Sequence, residues 1–359
     1  MAGRGDPPEG TPEGLPGGGE DEYGSVVFDE SFVRAARVQE FSAAERMGEH
    51  APAVRSLPAW NTKRAPAQIL VLVLLVVIAF GTAVFLGVRH PYQPAPDRKA
   101  ERLRITVVPL APPGPVPGGT PAELYARSPA EQFRAGAAGI TMPPVRRTQH
   151  FTEGQVMTAL TTVKDYLVAS SLDPDVLTGD TAQPVRLLLH PDQMAQFDRS
   201  VTSPAADGRH AAIGWLVRFD PAKVALADPE VRVRGTLEVL EPTPGTLEIT
   251  SVHTFVYALR RADGVGRPAS GEASLFTVRR ELLFRVDRED VSHHRLEVRS
   301  SHVQAGPQSC SAEASGVLRP LLAGQRPDSG GPAATDPYAT GRPNAALCGS
   351  LAPGAQPSP

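Results

Sequence analysis

The sequence predicts an α+β protein: one transmembrane helix, then an extracytoplasmic domain of helices packed on a curved antiparallel sheet, with disordered tails. Three observations carry this. Residues Ala65–Val88 hold no charge, and Ile69–Val88 (ILVLVLLVVIAFGTAVFLGV) is almost wholly apolar. Beyond that run, helix-start signals crowd the first half of the chain and period-two alternation fills the second half. That order belongs to an α+β fold rather than to βαβ units. Glycine and proline, 33 and 37 in 359 residues, crowd Met1–Gly19, Pro91–Pro121 and Gly306–Pro359 but thin out between Phe151 and Ala305. The chain therefore divides into a cytoplasmic tail (1–64), a transmembrane helix (65–88), a proline-rich linker with short helices (89–150), an α+β domain (151–305) and a Gly/Pro-rich tail (306–359).

The N-terminal tail begins as a disordered stretch. From Val26 to His50 it takes on helical composition, with Ser42 and Glu45 spaced as a capping box. A short helical segment is expected over 28–50. The apolar run comes next, rising about 30 Å at 1.5 Å per residue, the thickness of a hydrocarbon core. It lies too far from Met1 for a secretory signal. The bilayer is thus an expected partner. Ala79, Ala83 and Gly87 stand four apart, a small-residue face suited to self-association.

Flanking charges favour a cytoplasmic C-terminal side by count, with Arg89, Arg98, Lys99, Arg102 and Arg104 against Arg55, Lys63 and Arg64. The two cysteines argue the other way. Cys310 and Cys348 both lie in the C-terminal tail, and a pair in such sequence suits a disulfide in an oxidising compartment. Closing a loop of that length removes unfolded-state entropy worth about 4 kcal/mol. The expected topology is N-terminus inside, C-terminal domain outside, in the cell membrane.

Beyond the apolar run, RLRITVV reads as one short strand. TPAELYA and SPAEQFR then repeat a pattern of cap, proline and glutamate, with Thr120 and Ser128 as caps. The domain opens on a well-marked helix: Thr152 caps, Gln155 closes the box, and Phe151 is placed to staple Val156. Val156, Leu160, Val163 and Leu167 form its apolar stripe, and the helix ends near Ser171. HPDQMAQF, with Pro191 at its start, predicts another helix. Candidate strands are Ala212–Phe219, Val231–Leu240 and Leu247–Leu259, the last two joined as a hairpin across EPTPG. Alternation is clearest at Phe276, Val278, Leu282, Phe284 and Val286, where Arg280 breaks the apolar set and is read as the end of the core. Asp287–Asp290 reads as a turn, and the pattern resumes through Leu296 and Val298 to Val303.

A lead helix, short helical turns and then long antiparallel strands resemble the NTF2-like (cystatin-like) cone over Phe151–Val303. LDPDVLTG (172–179), WLVRFDPAKVALADPEVRVRG (215–235) and HTFVYALR (253–260) are similar to uncharacterised single-pass membrane proteins of high-GC actinobacteria. The first resemblance implies a fold that serves as enzyme, ligand pocket or scaffold; the second implies no activity.

No nucleophile elbow, Walker loop, dinucleotide fingerprint, zinc-protease motif or C-x-x-C occurs. No catalytic residue, cofactor or metal is expected. His293 and His294 beside Asp287, Glu289 and Asp290 would point to opposite faces of a strand, a poor metal set. With 36 basic and 39 acidic residues the net charge of −3 gives no field for nucleic acid. The pocket candidates are Trp215, His253 and Tyr257. His253 and Tyr257 share one strand face with Phe255, where they would line a cone's cavity. The expected function is non-enzymatic: a single-pass envelope protein that binds envelope partners through its outer domain. The alternative is a transmembrane sensor whose segment around Phe28–Met47 docks a cytosolic factor.

Overall fold

The computed structural model describes residues 65–89, 100–262, 272–328, 334–339 and 348–357, with side chains of 70–82 and 84 in the first stretch. The segment expected at 28–50, its Ser42–Glu45 box and the loop 263–271 lie outside the described residues. The chain forms two units, Met1–Gln93 and Pro94–Pro359.

In the first unit, α1 spans Ala65–Arg89. Its described side chains, from Leu70 to Val84, are exposed. Among the described residues no helix is long and apolar enough to cross a membrane. The fold class is corrected accordingly: the span predicted over 65–88 is not part of it. Of the small-residue face, the side chains of Ala83 and Gly87 lie outside the described residues.

The second unit is an α+β domain on a curled sheet. In chain order it contains β1 (Arg104–Ala111), α2 (Pro121–Ala126), a 3₁₀ turn (Pro129–Gln132), β2 (Arg134–Ala135), α3 (Glu153–Ser171), α4 (Pro174–Thr178), α5 (Gln183–Arg186), α6 (Pro191–Thr202) and α7 (Ala212–Trp215). There follow β3 (Val224–Leu226), β4 (Arg232–Thr243), β5 (Thr246–Arg261), β6 (Ser274–Asp287), α8 (Arg288–His293), β7 (Glu297–Gly306), β8 (Ala334–Thr335) and β9 (Gly349–Leu351).

Local chemistry sets the helix starts. Thr120 and Thr152 each close a reciprocal capping box, with Glu123 and Gln155, which satisfies backbone donors that the first turn leaves free. Ser128 accepts from the Ala130 amide to start the 3₁₀ turn. Asp287 caps α8 and pairs reciprocally with Asp290, so the acidic turn is a helix N-terminus.

The sheet order is β2-β4-β5-β6-β7-β1-β9-β8, with β3 on β5. The strands β4 to β7 form the antiparallel meander, and Gly245 at φ +76° turns the β4–β5 hairpin. The sheet as a whole is mixed, a second correction: β1 runs parallel to β7, pairing Arg104 with Ser300 through Pro109 with Ala305. The parallel partner lies far along the chain, and nothing in RLRITVV announces it. Helices cover both faces. The face carrying Phe255, Tyr257, Val278 and Phe284 forms the main core with residues of α3, α6 and α7. The outer face carries α2 and the 3₁₀ turn, through Leu124, Tyr125 and Phe133 on Val256, Ala258 and Leu275.

The strand predicted at Ala212–Phe219 is instead α7 followed by an irregular buried run. Its backbone groups bond to helix ends: the Val217 amide donates to Ser170 O at 2.7 Å and the Phe219 amide to Leu177 O at 2.8 Å. An apolar run of that length suits any buried segment, and here the helix termini take its hydrogen bonds.

Candidate functional site

Arg280 is the centre of the buried polar chemistry. It sits on β6 among Val278, Leu282 and Phe284 and is 0% exposed. It does not end the core, as the break in alternation suggested, but lies within it. Its register partners are His253 on β5 and Val303 on β7. The guanidinium Nη1 donates to Ser170 Oγ and Ser171 Oγ, both at 2.7 Å. Nη2 donates to Trp215 O at 2.8 Å and Gly214 O at 3.3 Å. Ser170 and Ser171 are the last residues of α3, where the helix presents its negative dipole end. Among the described residues no carboxylate pairs with Arg280. Dipoles and hydroxyls hold this charge instead.

The three pocket candidates converge on it. Trp215 supplies a carbonyl shared between Arg280 and the Tyr166 hydroxyl, which donates at 2.7 Å. Its indole donates to Ser200 Oγ at 3.1 Å. The Tyr257 hydroxyl donates to Ser171 O at 2.8 Å. His253 shares a 2.8 Å hydrogen bond between Nδ1 and Ser251 Oγ, while its Nε2 is buried without a partner among the described residues. Its ring lies across Gly235, the register partner on β4.

Burial and the neighbouring Arg280 charge lower the His253 pKa to about 4, so the ring is neutral. Burial pushes the Tyr166 phenol up to about 12 and raises Tyr257 as well. A general acid or base must come within reach of a substrate proton. Here Trp215, His253, Tyr257, Tyr166 and Arg280 are all 0% exposed, and the cluster ties β6 to the ends of α3 and α7.

No family model, curated protein or solved structure matches the chain. Cys310 and Cys348 form a disulfide. His293 and His294 are exposed at the end of α8. Among the described residues no group of three His, Cys, Asp or Glu side chains is placed to hold a metal ion.

The exposed chemistry lies on β4. Val233 and Leu237 point into the core, while Arg234, Thr236, Glu238 and Leu240 point out, Leu240 at 66% exposure. On its far edge β4 pairs with β2 only at Arg232 and Val233. Among the described residues no strand pairs with that edge beyond Val233. The sequence marks β4 as a strand, but its edge position follows from the sheet order, which periodicity does not encode. Arg280 and the Ser170–Ser171 pair were also missed as a unit. The available signal was an arginine inside an alternating apolar face, whose acceptors lie elsewhere in the sequence.

Proposed function

We propose that this protein is a non-enzymatic interaction component of the cell envelope whose α+β domain binds partner proteins on the extracytoplasmic side. The supporting observation is β4: an edge with which, among the described residues, no strand pairs beyond Val233, beside outward-facing Thr236, Glu238 and Leu240. An open edge offers unpaired amide and carbonyl groups to an incoming strand, and alternate side chains set its specificity. The interior supports the same reading, because Arg280 and Tyr257 are engaged in holding the sheet to the helices. The Cys310–Cys348 disulfide suits an oxidising compartment.

The test is site-specific photocrosslinking in cells. A photoreactive residue at Leu240 should give one discrete protein adduct. The same residue at Leu187, exposed just after α5, should give none. Leu283→Glu on the same outer face should abolish the Leu240 adduct. Folded chain that yields no adduct from Leu240, Glu238 or Thr236 would sink the proposal.

A further inference from the structure

A second part of the outer face carries residues of a solvent-facing sheet yet is covered. Thr254 on β5, Arg279 on β6, Gln304 on β7 and Val108 on β1 are register partners in one row across four strands. Each is under a tenth exposed. The cover comes from the chain's own C-terminal segments. At 334–339 they form a turn in which the Tyr338 amide donates to Asp336 Oδ1 at 2.9 Å. Pro337 O accepts from Thr254 Oγ1 at 3.0 Å, Ala339 O accepts from Arg279 Nη1, and the Tyr338 hydroxyl meets Thr277 Oγ1 at 2.9 Å. The Tyr338 ring stands edge-on to Phe133 at 5.8 Å. Leu351 and Ala355 pack on Val108 and Leu110.

Beside the turn, among the described residues, Gln304 Oε1 and His302 Nε2 are buried with no protein hydrogen-bond partner. The strap's own ladder is short. β8 has two register pairs with β9, and β9 two with β1, and strands this short are weak alone. Cys348 stands immediately before β9 and is bonded to Cys310, beyond the end of β7. The disulfide is the covalent tie at the point where the ladder is weakest.

We propose that the row Thr254–Arg279–Gln304 with Thr277 and Phe133 is a docking site for an Asp-Pro-Tyr turn. In this chain the site is filled in cis and latched by the disulfide, and its partner after release is the same turn of a second copy. The release step is thiol–disulfide exchange. A dithiol reductant attacks one sulfur to give a mixed disulfide, and its second thiol resolves that bond. Cys310 and Cys348 gain two electrons and two protons as thiols, and the dithiol leaves as a disulfide. Released from the latch, the turn is tethered on one side only, through the chain that leads from Asp328, whose amide donates to Ser309 Oγ at 3.2 Å, and its effective concentration at the site falls.

Full-length chain is titrated into a fluorescein-labelled peptide of sequence Ala-Thr-Asp-Pro-Tyr-Ala, residues 334–339, and read by anisotropy. Oxidised wild type should bind weakly. Reduced wild type, and oxidised Tyr338→Ala with its latch intact, should each bind at least about tenfold more tightly, since the site is then vacant for a larger fraction of time. Thr277→Val added to Tyr338→Ala should weaken the peptide again. In sedimentation, reduced wild type should dimerise with rising concentration, and excess peptide should dissolve the dimer. If both the reduced chain and Tyr338→Ala keep their β-sheet circular dichroism yet bind no better than oxidised wild type, the docking site is refuted. A dimer that peptide does not compete overturns the choice of a second copy as occupant.

Discussion

Arg280 keeps a charge in the core because four acceptors converge on it, and His253 bears the consequence. The ring faces that charge across β5 and β6, and among the described residues Ser251 is its one hydrogen-bond partner. Its folded pKa of about 4 lies below the ordinary histidine value of 6.5. For a base depressed in the folded state, the unfolded chain binds the proton first. Stability is therefore full above pH 6.5 and is lost as pH falls through the window from 6.5 to 4, by roughly 3 kcal/mol once both states are protonated. Urea unfolding between pH 7 and 5 should show this slope in wild type and a flatter one in His253→Gln. Parallel slopes would show that His253 does not titrate with folding. At this scale the alternation put His253 and Tyr257 on one strand face, and the structure buries both, with Trp215, around Arg280. Arg280 lies in the apolar alternation of β6, yet its acceptors come from Ser170, Ser171, Gly214 and Trp215, which no local pattern connects to it.

Helix caps were the most legible elements because a box of four residues completes its own hydrogen bonds: Thr120–Glu123 and Thr152–Gln155 needed no distant partner. The meander was legible through alternation and the turn at Gly245. Pairing that depends on distant chain was not, so the parallel β1–β7 ladder and the bonds of Val217 and Phe219 to helix ends emerged only in three dimensions. Gly235 falls between these cases. A glycine inside a strand signals close approach, and here a Cβ would come within 2.3 Å of the His253 ring and 2.4 Å of Val252 O. Gly235→Ala should therefore destabilise by about 1–3 kcal/mol through overpacking against backbone that cannot yield. A Cβ on Gly154, in the first turn of α3, would meet nothing within 4 Å. Gly154→Ala should stabilise by about 0.4–1 kcal/mol. Urea midpoints that move in the same direction for both variants would contradict this account of β4.

At the scale of the second unit, stability is unevenly distributed. The main core fills the space between the inner sheet face and α3, α6 and α7. A small cluster of Val108, Leu110, Leu351 and Ala355 holds the C-terminal segments against β1. The sequence read 306–359 as a tail because glycine and proline dominate it, and composition cannot show that its ends are tied into the sheet. The disulfide links the small cluster to the loop after β7. Its loop-closure contribution of about 4 kcal/mol is large beside what two short strands add. Replacing both cysteines by serine should therefore act locally first. In hydrogen exchange, 334–339 and 348–357 should lose protection, while β5, β6 and the helix α3 keep theirs, because sub-global opening follows the weakest packed unit. The global unfolding free energy should fall by less than about 4 kcal/mol, since the folded state also gains freedom when these segments open, which offsets part of the entropy the unfolded chain gains. Uniform loss of protection across β5 and β6 would instead show that the latch and the main core unfold as one cooperative unit, and the strap could not then exchange without unfolding the domain.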